Sequence, residues 1–190
     1  DSKRISLLEA DRTLYQGYAG AAQNGYNTGQ GGGGSGSVGS QGTGSTDGGN
    51  GGSGTTSDIS GTNVIYAVGG GGGGGFTSTS TGGTGSADGG GKGAYATSGT
   101  AVQATAGTTN RGNGGGGGNW DSLSNQNGAG GGSGIVILRF TTSGNGYGQA
   151  GGTVTTSGSD TIISWTATSG TRTFTPTSAF DVRYLVVAGA

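Results

Sequence analysis

The sequence predicts a mainly β protein: an antiparallel β-sheet or sandwich combined with a bundle of packed polyglycine-II helices, with little or no α-helix. Three observations predict it. Glycine supplies 53 of 190 residues, against a usual share of about 7%. The stretch "VIYAVGGGGGGGF" (64–76) sets a short apolar run directly against seven consecutive glycines. From Ile135 onward β-branched residues return, with threonine dominant.

These shifts divide the chain into three parts. Residues 1–16 carry Asp1, Lys3, Arg4, Glu9, Asp11 and Arg12 and no glycine. Ile5, Leu8, Arg12 and Tyr15 recur every three to four residues, as on a short helix, while "RISLL" and "RTLYQ" read equally as two strands. Threonine and tyrosine tilt the choice toward strands. Residues 17–134 hold 45 of the 53 glycines and form the glycine-rich polyglycine-II region. Residues 135–190 form a C-terminal β-strand region.

Within the last part, "GIVILRF" (134–140) is too short for a helix and rich in branched residues. Thr153–Thr156 and Thr161–Thr166 read as strands flanking a Ser-Gly-Ser-Asp turn. "TRTFTPT" alternates and is ended or edged by Pro176, which cannot donate to a ladder. "FDVRYLVVAGA" alternates and then becomes fully apolar, as a strand covered on both faces would. Its apolar edge must pair within its own chain or add to a neighbour's sheet.

In the middle part the competing reading is a flexible linker. A linker has no use for Tyr18, Tyr26, Ile59, Val64, Ile65, Tyr66, Val68, Phe76, Tyr95, Val102, Trp120 and Leu123, which punctuate the glycine runs as anchors. Collagen requires glycine at every third position with abundant proline, and this chain has one proline. The remaining ordered form is the left-handed polyproline-II helix, with three residues per turn and no internal hydrogen bonds. Several such rods packed together satisfy one another's backbone groups only where nothing larger than hydrogen stands at the contacts. In this geometry Gly69–Gly75 spans about 22 Å. Ordering glycine costs about 0.5–1 kcal/mol per residue more than ordering alanine, so the rods need a cooperative array, with Val64–Val68 as an anchor where the sheet ends.

Composition excludes several functions. The net charge is −1 with no basic run, which argues against nucleic acid and anionic lipid as partners. No apolar run is long enough to span a membrane as a helix. Cysteine, histidine and methionine are absent, which removes disulfides, thiolate and imidazole metal sites and Ser-His or Cys-His relays. Few oxidisable groups suit an extracellular particle. The opening "DSKRIS" fits a processed or excerpted chain. "GQGGGGSG" lacks the Lys-Ser/Thr of a phosphate loop. Asp47, Asp58 and Asp88 stand beside glycine or in turn-rich stretches without the regular spacing of calcium-binding repeats, and read as surface turns. Glu9, Asp11 and Asp160 have no motif around them that makes an acid–base pair. Trp120, Tyr26 and Tyr95 could line a sugar- or receptor-binding surface, with packing as the simpler role. No catalytic, cofactor-binding or metal residue is expected.

"SDISGTNVIYAVGGGGGGG" (57–75) and "GGSGIVILRF" (131–140) resemble the glycine-rich repeat domain of bacteriophage tail-fibre proteins, over about residues 17–190. The resemblance implies a fibre or adhesin role without catalysis. In that family a "YLVVAGGGGG" segment opens the domain, whereas here "TRTFTPTSAFDVRYLVVAGA" follows the closing "GIVILRF". The permuted order implies a subunit completed by its neighbour. The expected function is therefore a self-assembling extracellular filament subunit, its partner another copy joined through Val182 to Ala188. The alternative is a virion tail-fibre adhesin that recognises a bacterial surface receptor.

Overall fold

The computed structural model describes residues 17–190 apart from Asn24, Tyr26, 76–79, 86–87, Gly99, 121–124 and 167–169. The segment 1–16, with its open choice of helix or strands, and the expected anchors Tyr26, Phe76 and Leu123 lie outside the described residues, as does the side chain of Trp120. Every regular element among them is a β-strand, and none is a helix. They divide into two units: Ser57–Val64 with Ile135–Val186, and 17–56 with Ile65–Gly134 and Val187–Ala190.

The first unit is built on a four-stranded sheet ordered β12-β7-β10-β9. Its strands are β7 (Ile135–Thr141), β9 (Thr153–Ser157), β10 (Asp160–Trp165) and β12 (Arg183–Val187). β10 lies antiparallel to both neighbours, with Ile163 opposite Leu138 on one side and Val154 on the other. Because successive side chains alternate faces, Val136, Leu138 and Phe140 share one face with Ile163 and Trp165. A two-stranded sheet, β8 (Tyr147–Ala150) paired with β11 (Thr173–Pro176), supplies the cover. Phe140 meets the ring of Tyr147 edge-on at 5.1 Å and lies 5.0 Å from Phe180. Phe174 joins the same cluster. Trp165 is buried yet satisfied, its indole N–H donating to the Ala150 carbonyl at 3.0 Å. β11 ends at Pro176, where the sequence places the end of a strand.

Ile137 and Ile162, both buried, face the opposite way. Gly61 lies against Ile162, and Ile59 is buried in the same Ser57–Val64 segment. That segment is fastened by arginine: Arg139 Nη1 donates to the Asp58 carbonyl at 3.0 Å, and Arg183 Nη2 pairs with the Asp58 carboxylate at 2.7 Å.

The expectation that the final strand is covered on both faces is corrected. β12 is an edge strand with only β7 beside it. Tyr184 is 37% and Val186 65% exposed, because the aromatic cover reaches Val182 and stops.

The second unit has no large sheet. It carries the short antiparallel pairs β3 (Tyr95–Thr97) with β4 (Thr100–Val102), and β5 (Asn119–Trp120) with β6 (Asn125–Gln126). β1 (Thr55–Ser57) and β2 (Val64–Tyr66) form a further two-stranded pair. Most of the rest consists of extended glycine-rich runs that bond to one another through the backbone. Tyr66, Val68, Ala94 and Ala96 are buried where runs meet strands. Tyr18 is 56% exposed and not a packed anchor, although the backbone of its run bonds to Gly31 and Gly34.

Candidate functional site

The run Gly69–Gly75 lies at the centre of the second unit. Gly69, Gly72 and Gly75 donate to Gly52, Gly49 and Thr46, a step of three residues along each partner. The residues between them serve other runs. Gly71 and Gly74 donate to Gly91 and Ala94, while Gly70 and Gly73 accept from Gly32 and Gly29, and Gly71 also accepts from Gly117. With Gly72 also accepting from Gly83, one run thus reaches five others, in directions that repeat every third residue. A Cβ at Gly71, Gly72 or Gly73 would overlap a neighbouring carbonyl, of Gly83, Gly29 and Gly118 respectively.

The entry into this run is set by Ala67, which leaves β2 at φ 53° and gives its carbonyl to Ser35 and its N–H to Arg111. Asn113, fully buried, closes the other side. Its Oδ1 accepts from Val68 N at 3.1 Å and its Nδ2 donates to the Asp88 carbonyl at 3.2 Å. A groove of about 410 Å³ lies over Gly69–Gly71, between Gly17 and Ala190, and no titratable side chain lines it.

On the exposed side, two side-chain brackets repeat. Asp47 Oδ1 accepts from Thr81 N at 3.2 Å and Thr81 Oγ1 at 2.6 Å. Three residues on, Asn50 Oδ1 accepts from Thr84 N and Oγ1, both at 2.8 Å. The Thr81 hydroxyl holds the Asp47 carboxyl below the usual carboxylate range. On the other flank Ser40 Oγ accepts from Asn50 N at 2.7 Å and Ser37 Oγ from Ser53 N at 2.9 Å. Sequence reading took Asp47 for a surface turn and passed over the others, although the spacing "DGGNGGS" and "TGGT" signals them: polar residues recur every third position with glycines between.

The three aspartates considered for calcium do not converge. Asp47 sits in its threonine bracket, Asp58 holds Arg183, which lowers its pKa by hydrogen bond and charge, and Asp88 offers its carbonyl to Asn113. Among the described residues no group of three acidic, histidine or cysteine side chains could hold a metal ion. Asp160 is paired with Arg139 at 2.8 Å, while Glu9 and Asp11 lie outside the described residues. Tyr95 has the Lys92 ammonium 4.4 Å from its ring centroid, while Tyr26 and the side chain of Trp120 lie outside the described residues.

The Val182–Ala188 strand pairs within its own chain, antiparallel to β7. Ala190 donates to Gly132, and Gly134 lies against Val187 and Ala188, so one chain rises as the other falls. No strand lies on its outer side among the described residues. No protein-family model, curated protein or solved structure matches the chain.

Proposed function

We propose that this chain is a non-enzymatic structural protein, the self-assembling subunit of an extracellular filament, whose glycine runs form a bundle of polyglycine-II helices. The observation that carries the architectural part is the three-residue recurrence of N–H···O bonds between runs. It is the period of a left-handed helix with about three residues per turn and no internal bonds. None of Gly69–Gly75 takes a positive φ, in keeping with that helix.

Assembly is proposed from the edges of the four-stranded sheet. Among the described residues no strand flanks the outer edge of β12, where Tyr184 and Val186 are exposed, and β9 at the opposite edge exposes Val154. Neither carries the lysine or proline with which sheet proteins blunt an edge. Strand addition of β9 from one copy to β12 of the next is a head-to-tail contact, which repeats into an open filament.

Electron microscopy of the purified protein tests this. The native chain is expected to form filaments, and a Tyr184→Lys, Val186→Lys double variant to stay as discrete particles with an unchanged circular dichroism spectrum. Filaments of native length in the double variant would overturn the reading. Discrete native oligomers that adsorb specifically to bacteria would establish the tail-fibre adhesin in its place.

A further inference from the structure

The exposed face around Asn50 has no part in the assembly just described. It is made by three runs side by side: residues 37–43, 47–53 and 80–85. Ser40 N donates to the Asn50 carbonyl at 2.8 Å and Gly48 N to the Thr81 carbonyl at 2.9 Å, so the middle run is bonded to both neighbours. A second layer backs all three: Gly31 and Gly49 tie the first two to one run, Gly69 and Gly83 the last two to another. Such a surface cannot adapt to a ligand by bending.

Its side chains repeat with the backbone. The Asp47–Thr81 bracket and the Asn50–Thr84 bracket have the same donors and acceptor, one three-residue step apart. The partner of a locked periodic surface must itself be periodic. At about 3.1 Å per residue, three residues advance about 9.3 Å. Chains joined by N–H···O bonds of this length lie about 4.8 Å apart.

Tetrahedrally hydrogen-bonded water has neighbouring oxygens about 2.75 Å apart, so its next-nearest oxygens lie about 4.5 Å apart and the second in line about 9 Å. The two repeats of the face match these within a few tenths of an ångström. The chemistry agrees. The rows offer hydroxyls and the amides of Gln41 and Asn50, with Val38 also exposed, and Asp47, their one charge, already accepts from Thr81. No aromatic residue stands on the three runs to stack a sugar ring.

We propose that the face formed by the 37–43, 47–53 and 80–85 runs binds the surface of crystalline ice. The experiment is nanolitre osmometry on the full chain, with ice-crystal shape recorded during growth. The native protein is expected to open a gap between melting and freezing temperatures and to facet the crystal. Ser53→Tyr and Thr43→Tyr place a ring on the face, and each is expected to abolish the gap at an unchanged melting temperature of the protein. Ser143→Tyr, exposed in the turn after β7 and on neither sheet edge, is expected to leave the gap intact. Absence of a gap for the native chain overturns the proposal, as does full activity in both face variants. Sedimentation with cellulose or chitin crystallites in place of ice activity would also overturn it and assign the face to a polysaccharide.

Discussion

Gly72 passes the Gly29 carbonyl so closely that a methyl group on Gly72 would occupy the same space. The contact is backbone against backbone, with no side chain that could rotate aside, and on the other flank Gly72 donates to Gly49. Gly130, in another run, has nothing within 4 Å of where its Cβ would stand, and its φ is not positive.

Gly72→Ala is therefore expected to destabilise the glycine-rich unit by about 1–3 kcal/mol or more, as overpacking does. Gly130→Ala is expected to stabilise by about 0.4–1 kcal/mol through the unfolded chain. Thermal melting of the two variants beside the native protein checks both. Equal melting temperatures would refute close packing of the runs.

Ala67 gives a test of opposite sign. It holds φ 53°, a conformation that costs a residue with a Cβ about 1–2 kcal/mol. Replacing it by glycine removes that cost and adds about 0.5–1 kcal/mol of entropy. Ala67→Gly is expected to be stabilising by up to about 1 kcal/mol, measured by denaturant midpoint.

The Asp47 bracket predicts an acid dependence. Its folded pKa is lowered, so its contribution is present above the unfolded value near 3.9. It is lost as pH falls through the lower folded value. Asn50 performs the same task without a charge. Asp47→Asn is expected to change stability at pH 7 by no more than about 0.5 kcal/mol. The variant should lose less stability than the native chain between pH 5 and pH 2, read by thermal melting across that range.

The aromatic cluster predicts a larger loss. Phe140 touches Tyr147, Phe174 and Phe180. Phe140→Ala is expected to cost about 3–5 kcal/mol, seen as early loss of near-ultraviolet tryptophan ellipticity from Trp165, its neighbour in the core.

How much of this was legible depended on where the signal resides. β7, β9 and β10 were readable because they are short runs rich in Ile, Val and Thr, and Pro176 marked the end of β11. β8 was not. "YGQA" has a single β-former, and its strand exists because β11 and Phe140 receive it. Burial of the last strand was overread, since a fully apolar run looks the same in a sheet's centre as at its edge. The docking of Ser57–Val64 depends on Asp58 meeting Arg183, 125 residues away, which no local pattern announces. The polar brackets went unread, although "DGGNGGS" carries their signal in its spacing alone.

The three-residue recurrence of bonds also limits how these runs can lengthen or shorten over generations. A strand tolerates changes in pairs, since two residues restore its faces. Here the unit is three. In the proposed polyglycine-II helix, inserting one residue within Gly69–Gly75 would turn everything beyond it by a third of a revolution and carry every later donor away from its acceptor. Inserting three would add one full turn and leave each group facing the partner it had. Length variation in such a chain is therefore expected to come in multiples of three, as if the protein kept a reading frame of its own.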